Sequence, residues 1–451
     1  MKYTPVIGLE VHVELGTRSK MFCSCSADHF AKKPNMQTCP VCLGLPGALP
    51  VPNEQAIRWA QLLGAALECK LAKHSKFDRK HYFYPDLPKG YQISQYDLPL
   101  AESGIWNLES GDKVRIKRVH LEEDTGKLIH QKVDGKEVTL VDFNRSGVPL
   151  VEIVTEPDFT SSDEVGEFVK ELRQLVRDLG ISDADMEKGS MRLEANISVR
   201  PQRFDRPELT VEGHVERLPD YKVELKNINS FRFTKNAVEY EIKRQAEMLD
   251  NGEMPIQETR GYDETRGVTR SQRTKEEAQD YRYFPEPDIP ALDFTREYLD
   301  EIRKGLPELP RGKRQRIEKE YGVSNQYAII LTQTQTILGY FEEAVQIGKK
   351  HGVSPKEIAN VIVNKKPDRE KISPAKLVEM LRGGRKTAVL SNEELEKAVL
   401  QSIKENPKAV EDYKKGKEGA LQFLLGQIMS TTRGRALPQE AMGLLKQKVK
   451  V

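Results

Sequence analysis

Strict alternation of apolar and polar residues predicts the first strand of the chain. Across residues 7–15 every odd position is apolar, and the even positions carry Gly8, Glu10, His12 and Glu14. A period of two residues is typical of a half-buried β-strand. Glu10, His12 and Glu14 therefore share one face. The strand taken alone leaves open whether that face is solvated or forms the wall of a site.

The same alternation returns later in the chain with acidic residues on one face. The segments are 120–124, 150–156, 192–200 and 222–228, and the last three carry Glu152, Glu194 and Glu224. Carboxylates at matching positions of neighbouring strands predict a concave surface that gathers hard divalent cations. Mg²⁺ is the natural candidate. The register of the first segment, HLEED, is ambiguous.

Helical periodicity separates these strands and fills the rest of the chain. It occurs in 53–71, 162–179 and 231–249 and, after the Pro-rich stretch 285–290, in 308–348, 354–363, 373–381 and 391–451. Helices among strands indicate a mixed α+β domain, and the prolines indicate its boundary. We therefore expect an α+β domain over 1–292, a helical domain over 293–390 and a small helical tail over 391–451.

Residues 77–100 concentrate tyrosine, proline and basic residues without a clear period. This composition predicts a long ordered loop, and long ordered loops in compact domains are usually functional. Lys80 and Lys89 are candidates for phosphate contacts, and tyrosines such as Tyr84 are candidates for stacking on a ligand. The alternative is a solvated basic loop with packed aromatic rings.

The tail contains a basic turn, TTRGR, which includes Arg433 and Arg435. Such a turn is compatible with an ordinary solvated surface. Two arginines between apolar helices also suit the phosphates of a nucleic acid. Arg433 and Arg435 are therefore candidate nucleic-acid contacts, and the residues alone leave both interpretations open.

Four cysteines near the N-terminus have metal-ligand spacing. Cys23-x-Cys25 is followed, after thirteen residues, by Cys39-x-x-Cys42, a pattern typical of a closed tetrahedral zinc site. Disulfides or buried thiols are the alternatives. Only five cysteines occur in 451 residues and no secretory segment is evident, which favours a reducing compartment. A closed zinc site would stiffen a loop without performing chemistry.

The composition limits the binding partners and the cellular location that we expect for the protein. The 71 basic and 69 acidic residues nearly cancel, so a polyanionic partner must be bound by local patches. No apolar run approaches the ~20 residues that cross a bilayer. We expect a cytoplasmic protein without membrane contact.

The candidate side chains suit phosphoryl transfer. Carboxylates and a histidine can hold a divalent metal while basic residues neutralise phosphates, and this chemistry depends mostly on positioning and charge. The sequence has no Walker A motif, so ATP would be held by the sheet face and its flanking loops. It also lacks a Cys-His or G-x-S-x-G arrangement that would release ammonia or act as an acyl nucleophile.

Long motifs resemble one enzyme family over nearly the whole chain. They are GLEVHVEL, CPVCLGLPGALPVPN, FDRKHYFYPDLPKGYQISQ, HLEEDTGK, DFNRSGVPLVEIVTEPD, MEKGSMRLEAN, VELKNINSFR, DYRYFPEPDIP and LPELP. Together they resemble the B subunits of bacterial aspartyl/glutamyl-tRNA amidotransferases. The closing stretch, FLLGQIMSTTRGRALPQEAMGLLKQKV, is similar to the tRNA-binding tail that this family shares with YqeY-like proteins.

The resemblance implies a fold and a reaction. The N-terminal domain would be a cradle related to the glutamine synthetase catalytic fold. ATP would phosphorylate the side-chain carboxylate of Glu or Asp misacylated on tRNA(Gln) or tRNA(Asn), and ammonia would displace the phosphate. An amidase A subunit would supply the ammonia from glutamine through a channel, and a small C subunit would complete a heterotrimer.

The resemblance also assigns roles to residues. The Mg²⁺ ligands would be Glu10, His12, Glu123, chosen over Glu122, and Glu152. Glu194 and Glu224 would serve a second, ATP-linked metal, and Lys80, Lys89 and Lys226 would contact ATP or the acyl phosphate. The family more often has Asp where this chain has Glu194, and residues 210–221 are longer than the family pattern.

Two other interpretations compete with this one. The first is a non-catalytic, zinc-containing tRNA-binding subunit whose acidic strand faces are merely solvated. Clustered carboxylates count against it, because they repel nucleic acid unless a metal neutralises them. The second is the archaeal Glu-specific E subunit, whose usual large insertion is not evident in 451 residues. The sequence does not decide between the Asp and Glu reactions.

Overall fold

The computed structural model describes residues 2–201, 218–274, 281–386, 391–415, 417, 419–432 and 436–449. The chain divides between Pro310 and Arg311 into two units. The predicted three-part division, with borders at 292 and 390, stays a prediction. Arg433 and Arg435 lie outside the described residues, as does most of the long segment 210–221.

The first unit contains sixteen strands and four helices among its described residues. The strands are β1 (Tyr3–Glu14), β2 (Lys70–Leu71), β3 (His74–Ser75), β4 (Asp78–His81), β5 (Tyr91–Ser94), β6 (Ala101–Asn107), β7 (Lys113–Glu123), β8 (Lys127–Val133), β9 (Lys136–Asp142), β10 (Pro149–Thr155), β11 (Met191–Pro201), β12 (Val223–Ile228), β13 (Glu258–Asp263), β14 (Val268–Thr274), β15 (Phe284–Pro285) and β16 (Leu292–Asp293). The helices are α1 (Glu54–Ala66), α2 (Ser162–Asp178), α3 (Phe231–Asp250) and α4 (Arg296–Lys304).

Nine of these strands form one sheet in the order β14-β13-β12-β11-β1-β10-β7-β6-β2. Neighbours are antiparallel except for β12 and β13, which are parallel. The predicted α+β class with a mixed sheet is therefore confirmed. β1 is the central strand, with four strands on each side. The alternation at the start of the sequence therefore belongs to the middle of the sheet.

One face of the sheet is apolar and is covered by helices. The odd-numbered residues of β1, such as Leu9 and Val11, are buried in a core shared with the apolar faces of α1, α2 and α3. α2 begins where Ser161 accepts a hydrogen bond from the backbone N–H of Glu164, a typical N-cap. Since the helices cover the apolar face, the even-numbered residues of β1 lie on the opposite, polar face.

Two regions differ from the sequence-based expectation. Residues 77–100 do not form a loop throughout, because β4 and β5 pair as an antiparallel hairpin that β15 extends. Each of these strands is at most four residues long, too short for a period to be visible. The second region is the hairpin of β13 and β14, where charged residues on an edge of the sheet concealed the alternation.

The second unit is helical, as predicted. Its helices are α5 (Pro310–Tyr321), α6 (Asn325–Leu331), α7 (Gln335–Lys350), α8 (Pro355–Asn360), α9 (Pro374–Lys386), α10 (Asn392–Glu405), α11 (Pro407–Lys414), α12 (Gly419–Thr431) and α13 (Pro438–Val449), with a π turn at Val361–Lys365. Apolar side chains form one cluster within 317–378 and another within 395–449. In the parts of the chain that the structure describes, no helix has the length and apolar character needed to span a membrane.

Candidate metal centres on the polar face of the sheet

The strand register aligns the acidic residues of the polar face. His12 of β1 lies opposite Glu152 of β10, and Glu10 lies opposite Glu194 of β11. Residues paired across an antiparallel ladder project to the same side of a sheet. Since β12 places Glu224 next to β11 on the same face, carboxylates from distant parts of the sequence meet there.

The first group is the His12 cluster, which consists of His12, Glu122 and Glu152. The Nε2 of His12 lies 3.6 Å from Oε1 of Glu122 and 3.6 Å from Oε2 of Glu152. One ligand atom from each residue lies within 4.8 Å of the others, and both carboxylates are buried. Two carboxylates and an imidazole around one point suit a divalent cation, and Mg²⁺ is commonly bound through one or two carboxylates.

The residues of the His12 cluster strongly shift one another's pKa values. Burial lowers the pKa of His12, but Glu152 and Glu122 outweigh burial and raise this pKa to about 9. Burial likewise raises the pKa of Glu152, but His120 and His12 outweigh it and lower that pKa. His120, whose Nε2 lies 3.1 Å from Oε2 of Glu152, was not among the predicted site residues. Its only signal in the sequence is its position in HLEED.

The structure places Glu122, and not the chosen Glu123, beside His12. Glu123 accepts a hydrogen bond from the backbone N–H of Ile93 at 2.9 Å and forms an ion pair with Lys89. Successive residues of a strand project to opposite sides, so only one of the two acids can face His12. That residue is Glu122. Lys89 therefore neutralises Glu123 and does not face the His12 cluster.

The second group is the Glu10 cluster, which consists of Glu10, Glu194 and Glu224. Its carboxylates lie within 4.8 Å of one another. The sequence-based assignment had placed Glu10 with His12, but the structure groups Glu10 with the two acids expected at the second metal. Burial, together with the charges of Glu152 and Glu194, raises the pKa of Glu10. Neighbouring carboxylates repel one another when they are charged, so a cation bound among them would be stabilised.

Lys226 extends the Glu10 cluster. Its Nζ lies 3.0 Å from Oε2 of Glu194 and 3.6 Å from Oε1 of Glu224. Burial lowers the pKa of Lys226, but these two carboxylates outweigh it and raise this pKa. Glu224 also accepts a hydrogen bond from the hydroxyl of Thr259 at 2.7 Å. Lys226 thus neutralises part of the negative charge of the Glu10 cluster.

A cavity of about 380 Å³ adjoins the Glu10 cluster. Its lining includes Gly8, Glu10, Asn196 and Ser198. The amide nitrogen of Asn196 donates to Oε1 of Glu10 at 3.0 Å, while the Oδ1 of Asn196 is buried without a hydrogen-bond partner among the described residues. The wall of the cavity therefore contains a buried, unpartnered acceptor next to the Glu10 carboxylate.

Lys80 lies near the carboxylates of the His12 cluster. Burial lowers its pKa, but the carboxylates of Glu122 and Glu152, with nearby tyrosines, outweigh burial and raise it. Its Nζ also lies 5.0 Å from the centre of the Tyr281 ring. Neighbouring Arg79 is already committed, because its guanidinium forms two hydrogen bonds of 2.7 Å with Glu286.

Exposed aromatic side chains lie in the segments around β4, β5 and β15. We call Phe83, Tyr84, Tyr96, Tyr281 and Phe284 the aromatic patch; all have substantial exposed surface, and Tyr281 lies beside Lys80. Phe83 is 88% exposed and Tyr84 is 58% exposed. Of the tyrosines in 77–100, Tyr84 and Tyr96 thus have exposed side chains. Exposed rings beside a basic residue are typical of surfaces that stack on nucleobases.

A third charged network lies at the ends of the same strands and was not predicted. Arg192 forms an ion pair with Asp124, and Arg145 lies 3.7 Å from the other oxygen of that carboxylate. Burial raises the pKa of Asp124, but the two arginines outweigh it and lower this pKa. Glu14 accepts a hydrogen bond from His29 at 2.9 Å. These contacts fix β1, β7 and β11 relative to the cysteine loop.

The four spaced cysteines meet in one cluster. The sulfurs of Cys23, Cys25, Cys39 and Cys42 lie within 4.8 Å of one another. The backbone N–H of Cys39 donates to the sulfur of Cys42 at 3.1 Å. Four thiols from one loop fit a closed zinc site with no open coordination position. This donor set supports a structural role for the metal.

Comparisons with known proteins agree with these features. Residues 5–300 match the model described as the GatB/GatE catalytic domain, and residues 341–449 match a model described as the GatB domain. The chain is 44% identical to the B subunit of the aspartyl/glutamyl-tRNA(Asn/Gln) amidotransferase of Caldicellulosiruptor saccharolyticus, with 100% of the chain and 99% of that relative covered. It is 45% identical to the protein of the same name from Carboxydothermus hydrogenoformans, with 99% of each covered. For Thermotoga maritima the identity is 44%, with 97% of each covered.

Proposed function

The chain belongs to the family of aspartyl/glutamyl-tRNA(Asn/Gln) amidotransferase B subunits, and from this membership we propose that it carries out the ATP-dependent amidation of misacylated tRNA. The substrates are Glu-tRNA(Gln), Asp-tRNA(Asn) or both. A carboxylate oxygen of the aminoacyl side chain attacks the γ-phosphorus of ATP, and ADP leaves. Ammonia then attacks the acyl carbon, and inorganic phosphate leaves as the amide forms.

One observation carries this proposal: the His12 and Glu10 clusters stand side by side on neighbouring strands of one sheet. His12, Glu122 and Glu152 would hold one Mg²⁺, and Glu10, Glu194 and Glu224 a second. When bound, these ions would supply positive charge to the phosphates of ATP. Phosphoryl transfer needs such neutralisation because its charge is spread over several oxygens.

The protein's own side chains add charge and position. Lys80 beside the first cluster and Lys226 within the second offer ammonium groups to phosphate oxygens. The cavity next to Glu10 has room for the nucleoside of ATP, and Asn196 lies in its wall. Lys89 is paired with Glu123 on the other side of the strand, so any role in the reaction would be indirect.

The unpaired 3′ end of the tRNA needs a different surface. We place its terminal bases on the aromatic patch, because exposed rings can stack on bases without reading their sequence. The residues after 390, including Arg433 and Arg435, would bind the tRNA backbone. The cradle would be related to the glutamine synthetase catalytic fold. An amidase A subunit would supply ammonia, and a small C subunit would complete the heterotrimer.

The decisive experiment compares two glutamates in the chain purified with its partner subunits. Glu152→Gln removes a buried carboxylate of the His12 cluster, whereas Glu137→Gln changes a side chain that is 86% exposed. With free ammonia supplied, we expect Glu152→Gln to reduce formation of ADP and of amidated tRNA at least ~100-fold, by analogy with loss of an electrostatic stabiliser. Full ammonia-dependent turnover in Glu152→Gln would reject the His12 cluster as the site of phosphoryl transfer.

A further inference from the structure

Lys20 is a buried lysine next to the cysteine cluster. Its side chain is only 1% exposed, although lysine is among the residues least often buried. The Nζ donates to the carbonyl oxygens of Gln37 at 2.7 Å and Phe143 at 3.3 Å, and it lies 3.7 Å from the sulfur of Cys42. In the parts of the chain that the structure describes, no carboxylate lies within ion-pair distance of this nitrogen.

The stem of Lys20 is held in place on several sides. Its backbone N–H donates to the carbonyl of Cys25 at 2.9 Å, which ties it to the cysteine loop. Gly147 packs against both Lys20 and Cys42, since an added Cβ would lie 3.5 Å from Cδ of Lys20 and 3.5 Å from Cβ of Cys42. The ammonium group is therefore held next to the cysteine cluster by buried contacts along its whole side chain.

A buried ammonium needs more than hydrogen bonds. Carbonyl oxygens satisfy its N–H groups, but they do not cancel its charge, and an uncompensated buried charge is strongly destabilising. Disulfides or neutral thiols would supply no compensating charge. Four thiolates around one Zn²⁺ would supply it, since four negative charges meet only two positive ones. Lys20 thus discriminates among the alternatives that cysteine spacing alone leaves open.

We propose that Lys20 is the counter-cation of the cysteine cluster: its ammonium compensates part of the negative charge of the four thiolates that bind Zn²⁺. In this role Lys20 strengthens zinc binding and protects the Cys42 sulfur from electrophiles. It is a positioning residue of the zinc site and takes no part in amidation. The proposal does not depend on the proposed enzymatic function.

The first test measures zinc affinity on the purified full-length chain by competition with a chromogenic chelator. Lys20→Met removes the charge and keeps an unbranched apolar stem. Lys33→Met is the matched control, because Lys33 lies on the same loop but is exposed. We expect Lys20→Met to lower zinc affinity about 10- to 100-fold, the usual effect of losing an outer-shell partner, and to speed zinc release by iodoacetamide. Unchanged affinity and release in a folded Lys20→Met variant would overturn the proposal.

The second test separates charge from packing. Cys25→His converts the ligand set to three thiolates and one imidazole, so the zinc site carries one negative charge fewer. If Lys20 acts through charge, the affinity lost on Lys20→Met should be several-fold smaller in the Cys25→His background. An equal loss in both backgrounds would assign Lys20 a packing role only and would refute the proposal.

A folding defect in Lys20→Met is itself informative. Lys20→Gln keeps an N–H donor for the Gln37 and Phe143 carbonyls but carries no charge. If both variants lose zinc and fold only in the Cys25→His background, charge compensation is supported. If neither folds in either background, the defect lies in packing and the proposal fails. Circular dichroism and zinc content distinguish these outcomes.

Discussion

Glu122 and Glu123 are neighbours in sequence but serve different partners. An oxygen of Glu122 lies 3.6 Å from the Nε2 of His12, whereas Glu123 forms an ion pair with Lys89 and accepts a hydrogen bond from Ile93. The alternation of a strand causes this separation, since one residue projects to the polar face and the next to the other side. Only Glu122 can therefore contribute to a metal site with His12.

This arrangement predicts different effects for two matched substitutions. Glu122→Gln should weaken Mg²⁺ binding about tenfold or more, because it removes one of few charged oxygen ligands. Glu123→Gln should leave Mg²⁺ binding within about twofold and should mainly free Lys89. Titration with Mn²⁺ followed by electron paramagnetic resonance, with Mg²⁺ as competitor, measures both. Equal losses in the two variants would contradict the assignment.

The sequence predicts the strands of the polar face well because each is long enough to show its period. β1 and β11 lie on segments that alternate over nine residues each, 7–15 and 192–200, and helices α2 and α3 begin and end close to their predicted limits. What the sequence cannot give is the order of strands in the sheet. That order decides which carboxylates lie close together. For this reason Glu10 is grouped with Glu194 and Glu224 in the structure, whereas the sequence-based assignment grouped it with His12.

The missed features have a common physical origin. Lys20 and the ion pair of Arg192 with Asp124 depend on contacts between distant segments, and none of them has a periodic signal. The hairpin of β4 and β5 is too short to show alternation. The family resemblance identified most residues of the candidate site, but the strand geometry was needed to choose between Glu122 and Glu123.

Zinc content gives a direct test of the cysteine cluster. Replacing both Cys39 and Cys42 by serine removes two of four ligands, so bound zinc should fall from about one equivalent to none. The loop should then become sensitive to proteases, because the metal no longer holds it. Mass spectrometry of the metal and limited proteolysis measure both effects. Absence of zinc from the unsubstituted protein, purified without chelator, would reject the site.

Cys69 should behave unlike the other cysteines. Burial raises the pKa of its thiol to about 12, so at pH 8 the thiol is protonated and is a poor nucleophile. We expect iodoacetamide to leave Cys69 unmodified in the folded protein at pH 8 and to modify it after denaturation. Cys69→Ser should retain zinc and amidation activity. Rapid labelling of the folded protein would show that Cys69 is accessible and more reactive than its packing implies.

Truncation after residue 390 tests the role of the tail. If the tail binds phosphates, its loss should weaken tRNA binding about tenfold or more and should flatten the dependence of affinity on salt, because fewer counterions are released. ATP turnover at saturating tRNA should be less affected, since the His12 and Glu10 clusters lie in the first unit. Filter binding at several salt concentrations measures the slope. An unchanged slope would exclude a phosphate-binding tail.

Phe83 tests the placement of the tRNA 3′ end. Its ring is 88% exposed, so Phe83→Ala should change the free energy of unfolding by less than about 0.5 kcal/mol. Loss of one base stack is worth about 1–3 kcal/mol, which corresponds to a rise of about 5- to 150-fold in the KM for misacylated tRNA. The KM for ATP should change much less, because the ring contacts the tRNA and not the nucleotide in the proposed arrangement. Phe83→Tyr keeps the stacking surface and should behave as the unsubstituted protein. A KM for tRNA that is equal in the alanine and tyrosine variants would move the acceptor end away from the aromatic patch while leaving the metal sites untouched.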